Sequence, residues 1–359
     1  MEYIESKYFS YADPDDPWYR KLIIRTIESL AGQPALYKLY REYQENPNNW
    51  DSFWHGCLDQ LKLKLEFNSN VNIPKKGPTI FVANHPYGVL DGLVISYFVS
   101  KFRDDFKVLT HSLLLRAPET KGYLLPIDFT GDKQALLTNL DTRKKSREHL
   151  ANGGSIIIFP SGTVSTTAKF YENTKMAFDP EWKKFTSRLI KQTDPTIVPI
   201  YFYGCNSIKF QLASHLGDMF RASLLFHEVK RRIGSDFKFI VGKPFKYSNI
   251  DSELSNQELA DYLRTKTYLL NPKISKAPPY GLDIWLNSFR IVVFFGILLK
   301  RGINLLVLSR RRDQTLVIGD NVEVTVLEIK GGQVRLGINA PRAVSVHRGE
   351  IHAKVIEER

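Results

Sequence analysis

The sequence predicts an α/β domain with a mostly parallel sheet flanked by helices, followed by a small all-β domain. Two observations support this order. From residue 76 to residue 241, short apolar runs rich in β-branched residues alternate with helical segments. That alternation is typical of a parallel sheet covered on both faces. From residue 305 onward, short β-branched runs follow one another directly, separated by breaks rich in Gly, Asp and Asn.

We therefore divide the 359-residue chain into four parts. Residues 1–75 form a helical N-terminal segment, and residues 76–280 form the α/β domain. Residues 281–304 form an apolar interfacial helix or linker. Residues 305–359 form the β domain, which ends in a helix over 350–357. Two domains are the natural expectation for a chain of this length.

The N-terminal segment carries helical patterns over residues 18–29 and 34–45. A further set of large apolar residues recurs at helical spacing. Its members are Trp50, Phe53, Trp54, Leu58 and Leu61. We expect these helices to pack on the main domain, with a membrane-facing role as the alternative.

The predicted strands of the α/β domain cover residues 79–83, 106–109, 124–128, 155–159, 196–202 and 237–241. A long helix is predicted over residues 132–152, because Gly153 and Gly154 supply a C-terminal stop. In the β domain, strands are predicted over 305–309, 315–318, 322–329, 333–338 and 343–347.

A histidine and an aspartate follow the first strand of the α/β domain, within the stretch Asn84-His85-Pro86-Tyr87-Gly88-Val89-Leu90-Asp91-Gly92. His85 lies where the strand ends, at the edge where open α/β sheets bind ligands. Asp91 lies at the start of an apolar helix. Such a carboxylate can orient the imidazole, so that its other nitrogen takes a proton from a hydroxyl. The alternative is that Asp91 only caps the helix and His85 is an ordinary turn residue.

Other catalytic chemistries find little support. The sequence has no Gly-x-Ser-x-Gly elbow, which disfavours a serine acyl-enzyme and an α/β hydrolase. It has no His-Glu-x-x-His motif and no cysteine pair at metal-binding spacing, so we expect neither a metal nor a cofactor. Cys57 and Cys205 give no disulfide framework, which fits a reducing cytoplasm. The N-terminus is acidic and polar, and we expect no signal peptide.

The net charge of +12 is unevenly distributed, because +10 of it precedes residue 305. This excess suits an anionic membrane surface or anionic substrates, with a general solubility role as the alternative. The apolar run 284–299 is followed by Lys300 and Arg301 and contains Asn287 and Arg290. It is shorter than the roughly 20 residues of a spanning helix, so we expect an interfacial or buried helix rather than a single span. These features predict a cytoplasmic protein, peripheral on the inner face of the membrane.

Three motifs occur in the order found in glycerolipid acyltransferases. They are Asn84-His85-Pro86 with Asp91-Gly92, then Phe159-Pro160-Ser161-Gly162-Thr163, then Val198-Pro199-Ile200. Residues 50–270 resemble the PlsC-type lysophospholipid acyltransferases, especially the branch with ornithine-lipid and hemolysin-type enzymes. Five residues separate His85 from Asp91, a spacing typical of that branch, whereas four is common in the family. Ser161 stands where the family usually has Glu, which argues against assuming a glycerol-phosphate acceptor.

The resemblance implies transfer of an acyl group from acyl carrier protein or coenzyme A to a hydroxyl of a lysophospholipid or lyso-ornithine lipid. His85 would be the general base and Asp91 its partner. The implied substrate-binding residues are Asn84, Gly88, Phe159, Pro160, Ser161, Gly162, Thr163 and Pro199. We expect backbone N–H groups near Gly88 or Gly162 to stabilise the oxyanion.

The last part of the chain closely resembles the carbon storage regulator family (CsrA/RsmA). The matching stretches are 306–311, 316–320, 334–341 and 344–348. The resemblance implies a homodimer with interlocked strands that binds mRNA leaders containing GGA. The implied RNA-binding residues are Leu308, Arg310, Arg311, Arg342, Val346 and Arg348. Arginines suit phosphate contacts and base stacking, although a solvated strand face is the alternative.

Two functions follow as hypotheses. The first is a membrane-associated acyltransferase with an RNA-binding tail. The second is an RNA-binding translational regulator whose acyltransferase part is an inactive membrane tether.

Overall fold

An eight-stranded sheet organises the larger of two units in the computed structural model of the chain. The units comprise Met1–Ile291 and Val292–Arg359, and each is described by itself. The structure describes residues 9–12, 16–69, 72–128, 133–167, 177–216, 218–250, 253–281, 315–318, 322–330 and 333–341.

The strands of the larger unit are β1 (Lys64–Glu66), β2 (Thr79–Ala83), β3 (Phe106–His111), β4 (Leu124–Ile127), β5 (Ser155–Ile158), β6 (Thr196–Phe202), β7 (Asp236–Val241) and β8 (Phe245–Lys246). Its helices are α1 (Trp18–Ala31), α2 (Gln33–Glu45), α3 (Phe53–Gln60), α4 (Val89–Ser100), α5 (Lys133–Ala151), α6 (Lys184–Thr193), α7 (Ile208–Leu216), α8 (Asp218–Arg231) and α9 (Asn256–Tyr268).

The sheet is mostly parallel, as predicted, and β2 lies near its centre. The strand order is β1-β7-β6-β2-β5-β3-β4, and β8 also pairs with β6. β2 pairs in parallel with both neighbours, so that Thr79 lies opposite Ser155 on one side and Thr196 on the other. All five residues of β2 are buried. The carboxyl ends of β2, β5 and β6 therefore meet at one edge of the sheet.

Two layers of helices cover the sheet, because side chains of each strand alternate between its faces. Phe81 packs on one face with residues of α2, α3, α4 and α8. Ile80 and Val82 pack on the other face with residues of α5, α6 and α9. α1 packs on α8 and therefore belongs to the first layer. The apolar residues predicted to pack at helical spacing include Trp54, Leu58 and Leu61, which are buried.

The far side of β6 departs from the parallel pattern. β7 and β8 both pair with β6 in antiparallel orientation. Pro199 lies in β6 between the residues that pair with β8 and those that pair with β7. A proline lacks an N–H donor, so this break in the pairing is where it disturbs the sheet least.

The N-terminal segment contains a strand that its helical patterns did not predict. β1 pairs in parallel with β7 at the sheet edge, with Lys64 opposite Asp236. It is three residues long and only partly covered, so it offers little alternation to recognise. The helical segment therefore contributes to the sheet itself.

The smaller unit contains an antiparallel sheet of β9 (Thr315–Ile318), β10 (Val322–Lys330) and β11 (Gln333–Asn339), with β10 in the middle. These three strands were predicted. The strands predicted over 305–309 and 343–347, the helix over 350–357 and the apolar run 284–299 lie outside the described residues. Among the residues that are described, no helix has the length and hydropathy needed to cross a membrane.

Candidate active site

His85 and Asp91 come together at the carboxyl end of β2. His85 lies in the turn that leaves the strand, and Asp91 lies in the first turn of α4. The His85 Nδ1 atom is 3.0 Å from Asp91 Oδ2. This contact lacks the linear alignment of a strong hydrogen bond, although its length is that of an ion pair. The His85 side chain is 17% exposed, whereas the Asp91 side chain is fully buried.

The turn between the two residues depends on the same carboxylate. The backbone N–H groups of Tyr87 and Gly88 donate to Asp91 Oδ2 over 2.8 and 2.9 Å. Gly88 has a φ of +77°, in the left-handed region that favours glycine. A Cβ atom there would lie 3.1 Å from both Leu225 and Val164 side chains. Glycine therefore allows the sharp turn that brings His85 back over Asp91.

Burial raises the pKa of Asp91 above its usual value, since desolvation disfavours the charged form. The contact with His85 and the two backbone donors oppose this effect without reversing it. The two backbone donors and the His85 ring nitrogen all lie against Oδ2, and Oδ1 has no hydrogen-bond donor in the part of the chain that the structure describes. A carboxylate this desolvated interacts strongly with an imidazolium ring when that ring takes a proton.

Phe159 is the residue of the second motif that meets His85. Its ring stacks on the imidazole, with 4.1 Å between centroids and 29° between planes. Phe159 directly follows β5, so the parallel pairing of β2 with β5 brings the two motifs to the same edge. The stacking of Phe159 on His85 therefore joins the first motif, which follows β2, to the second motif, which follows β5.

The rest of the second motif forms a loop held by a hydrogen bond within it and by another from Lys183. The Ser161 hydroxyl donates to the Thr163 carbonyl over 2.8 Å, and Ser161 is fully buried. The Pro160 carbonyl accepts a hydrogen bond from the Lys183 N–H. Gly162 has a φ of +67°, which again suits glycine. These contacts shape the loop beside His85.

The backbone amides expected to hold an oxyanion already have acceptors. The Gly88 N–H donates to Asp91, and the Gly162 N–H donates to the Phe159 carbonyl over 3.0 Å. Each bond closes the turn in which its glycine lies. The Gly88 and Gly162 amides are therefore engaged within their own turns, and stabilisation of the oxyanion by N–H groups near these glycines stays a prediction.

Of two other predicted substrate-binding residues, Asn84 directly follows β2 and Pro199 lies in β6. The Asn84 amide donates to the Phe202 carbonyl over 2.9 Å, and its Oδ1 accepts the Phe202 N–H over 2.7 Å. Asn84 therefore joins the ends of β2 and β6. Pro199 is buried opposite Val82, three residues before the level of His85. The structure does not bring Pro199 to the edge where His85 lies.

The Asp179 carboxylate holds the His85 backbone, a role that the sequence did not predict. Its Oδ1 accepts the His85 backbone N–H over 3.1 Å and the Ser165 hydroxyl over 2.5 Å. Its Oδ2 accepts the Trp182 Nε1–H over 2.8 Å. The Ser165 N–H in turn donates to the His85 carbonyl over 2.8 Å. Asp179 is fully buried, and it joins the backbone of His85 to Ser165, which lies two residues after the second motif.

The described residues contain neither a metal-binding cluster nor the residues implied in nucleic-acid binding. Across the described ranges, no three His, Cys, Asp or Glu side chains gather as a metal site requires. The six residues implied in RNA binding, Leu308, Arg310, Arg311, Arg342, Val346 and Arg348, lie outside the described residues.

Comparison with known proteins separates the chain into two matches. Residues 20–277 match the family described as Acyltransferase, and residues 305–357 match the Global regulator protein family. A protein of Phocaeicola vulgatus, named lyso-glycine lipid O-acyltransferase, is 27% identical over 258 residues, which is 70% of this chain and 88% of that protein. A protein of the same name from Bacteroides thetaiotaomicron is 28% identical over 257 residues, which is 70% of this chain and 90% of that protein.

A solved structure is also similar in part. The 1-acyl-sn-glycerophosphate (LPA) acyltransferase PlsC from Thermotoga maritima aligns at 17% identity with a TM-score of 0.38. The alignment covers 75% of this chain and 88% of that one.

Proposed function

The chain belongs to the acyltransferase family, and from this premise we propose that its larger unit transfers a fatty acyl group from an acyl thioester to a lysolipid hydroxyl. The observation that carries the proposal is the contact between His85 and Asp91 at the carboxyl edge of the sheet, beside Phe159. The thioester is that of acyl carrier protein or coenzyme A. A retained His–Asp pair favours an active enzyme over an inactive tether.

The mechanism is direct transfer. With Nδ1–H facing Asp91, His85 Nε2 takes the proton of the acceptor hydroxyl while the hydroxyl oxygen attacks the thioester carbonyl carbon. Asp91 stabilises the imidazolium that forms. The tetrahedral adduct then collapses with cleavage of the C–S bond, and the imidazolium returns its proton to the departing thiolate. The products are an ester and a free thiol.

We propose that the acceptor is a lysolipid with an amino-acid head group. Ser161 is buried and bonded within its own loop, so this position offers no carboxylate to an acceptor. The two relatives named for lyso-glycine lipid support the same choice. Purified protein is expected to acylate a lyso-glycine lipid in preference to lysophosphatidic acid, and the opposite preference would contradict this acceptor.

Lipid analysis tests the enzyme itself. Mass spectrometry of lipids from a host expressing the wild type is expected to show a diacylated product that His85→Ala lowers at least about a hundredfold, the scale of a lost general base. His55→Ala is the matched control, because His55 lies on α3 and faces Asp51 and Tyr97 instead. Equal product from the wild type and His85→Ala would overturn the proposed mechanism.

We propose that α1 forms the membrane-binding surface of the larger unit. Trp18, Leu22 and Leu30 on this helix are 75%, 58% and 85% exposed. Arg20 and Arg25 are also exposed on the same helix. Large apolar side chains mixed with cations are typical of helices that lie in a lipid interface. We therefore propose peripheral binding at the inner face of the cell membrane.

The match of residues 305–357 to the Global regulator protein family supports a second proposed activity, binding of mRNA that contains GGA, as a homodimer. Arg348→Ala is expected to weaken binding of a GGA hairpin, and the wild-type affinity should fall with added salt as phosphate contacts release counterions. Lys330→Ala on β10 is the control. Unchanged binding by Arg348→Ala would remove this residue from the RNA surface.

A further inference from the structure

A groove with a volume of 250 Å³ lies between α5 and α6, away from the residues around His85. Leu140, Arg143 and Arg147 line it from α5, and Phe185 and Arg188 line it from α6. The Arg143 guanidinium lies 5.9 Å from the centre of the Phe185 ring. We call this feature the arginine groove.

The three arginines of the arginine groove carry uncompensated charge. Within the described residues, no carboxylate lies within ion-pair distance of Arg143, Arg147 or Arg188. The lysines of α5 differ, because Lys144 pairs with Glu148 over 3.9 Å and Lys145 pairs with Asp141 over 2.6 Å. Arg143 and Arg147, which have no ion pair among the described residues, therefore lie on the side of α5 that faces α6.

The arginine groove is bordered by exposed apolar surface. Leu136, Leu137 and Leu140, in the first half of α5, are 57%, 52% and 48% exposed. Unpaired arginines beside an aromatic ring and exposed leucines are the composition of a protein–protein interface rather than of a general solvent face.

The position of the groove suits delivery to the active site. α5 follows β4 and α6 precedes β6, so both helices begin near the carboxyl edge of the sheet. Phe185 comes three residues after Trp182, whose indole bonds to the Asp179 carboxylate that holds His85. Phe185, which lines the groove, is therefore six residues along the chain from Asp179, the residue that holds the His85 backbone. The exposed apolar residues of α1 lie on the opposite face of the sheet.

We propose that the arginine groove docks an acidic protein surface, namely that of the acyl carrier protein that presents the thioester. This inference rests on the proposed function, because it assumes a thioester donor. Charge complementarity selects the occupant: acyl carrier proteins are small and acidic, and three unpaired guanidinium groups fit their carboxylates. With α1 on the other face, the enzyme can bind a membrane and a soluble donor together.

A binding experiment on the full chain tests the docking without requiring turnover. Palmitoyl-acyl carrier protein is titrated into wild type, into the double variant Arg143→Glu/Arg147→Glu and into Arg188→Glu. Wild type is expected to bind. The charge reversals on α5 and on α6 are each expected to weaken binding about tenfold or more. Lys145→Glu changes the same charge on the same helix outside the groove, and should stay within about twofold of wild type.

Turnover and vesicle measurements separate the remaining outcomes. The groove variants are expected to keep transfer from palmitoyl-coenzyme A, since that donor needs no carrier protein. No binding by wild type, or equal binding by wild type and the reversals, would overturn the docking even if coenzyme A supports transfer. A loss of binding to phosphatidylglycerol vesicles instead would mark a membrane site and also overturn it. If acyl carrier protein still bound but neither donor supported acyl transfer, the proposed function would be refuted and the docking proposal would stand.

Discussion

At the scale of single residues, Asp91 does two things with one oxygen. Its Oδ2 accepts the backbone N–H groups that shape the turn, and the same atom lies against His85 Nδ1. Capping the helix and orienting the imidazole are therefore compatible, and the sequence alternatives of cap and catalytic partner need not exclude each other. The turn that Asp91 closes at the start of α4 is the same turn that positions the His85 imidazole.

Asp179 is a second carboxylate on which the position of His85 depends. Asp179→Ala would remove the acceptor of three donors, of which those on Ser165 and Trp182 are buried and that on His85 is partly buried. Each stranded donor costs about 1–3 kcal/mol, so the variant should unfold at lower temperature. We also expect kcat to fall more than the KM for the acceptor changes, since the base is displaced while the lipid contacts remain.

The conservative variant distinguishes positioning from stability. Asp179→Asn keeps one acceptor oxygen and is expected to recover most of kcat. If the folded fraction of Asp179→Ala turned over at the wild-type rate, Asp179 would have only a structural role.

Residues that act through contacts distant in the chain, such as Asp179, could not be predicted from the sequence. His85, Asp91 and Phe159 could be selected because each follows a recognisable strand or opens a helix. Asp179 stands before a proline in a loop, a pattern typical of turns, and nothing in it predicts contact with a residue 94 positions away. The Asn84 amide likewise bonds to a strand 118 positions further on.

At the scale of elements, Arg103 ties together the amino edge of the sheet. Its buried guanidinium donates to the carbonyls of Gly77 and Gly153, over 2.9 and 2.8 Å, and to the Asp105 carboxylate. These contacts connect the loop before β2 with the turn before β5. They hold the edge opposite the active site, where the strands begin.

The Arg103–Asp105 contact predicts a pH dependence of stability. Burial alone would raise the pKa of Asp105, but the hydrogen bonds and charge of Arg103 outweigh it and hold this pKa below its usual value. A carboxyl group whose pKa is lower in the folded state stabilises the protein at pH values above its unfolded pKa of about 3.9. This stabilisation is lost as the pH falls through the folded pKa. Thermal melts from pH 7 downward should therefore show the gap between wild type and Asp105→Asn closing at acid pH. Asp104→Asn, on the exposed neighbour, is the control, and a gap that stays constant would contradict the linkage.

The exposed face of α1 predicts membrane binding that depends on leucines. Leu22→Ser with Leu30→Ser removes two exposed apolar side chains without touching the core. We expect co-sedimentation with anionic vesicles to fall about tenfold or more, because each inserted leucine contributes more than about 1 kcal/mol. Leu269→Ser, at an exposed site after α9, should bind as wild type does. Equal loss in both variants would place the membrane surface elsewhere.

Most strands of the sheet were predictable, and the exceptions have a common cause. β2 and β6 occur at the predicted residues because both are continuous apolar runs bounded by turn residues. β1 and β8 have three and two residues and lie at the margins of the sheet. Such strands form because a neighbour offers free backbone groups, which is a property of the assembled sheet and not of their own sequence.

At the scale of the whole molecule, two units with separate family matches share one chain. The proposed activities use different residues, so each should tolerate loss of the other. Arg348→Ala is expected to leave acyl transfer unchanged, and His85→Ala is expected to leave RNA binding unchanged. Both are measured on the purified full chain. A variant in either unit that abolished both activities would show that the two are coupled.

The central claim is that His85 and Asp91 act as one catalytic unit. The most direct measurement is a double-mutant cycle of kcat/KM for acyl transfer, with His85→Ala, Asp91→Asn and the double variant. Each single variant is expected to lose about a hundredfold or more, and the double variant no more than His85→Ala alone, because residues that act as a unit are not additive. Losses that multiply in the double variant, or an active His85→Ala enzyme, would contradict the account.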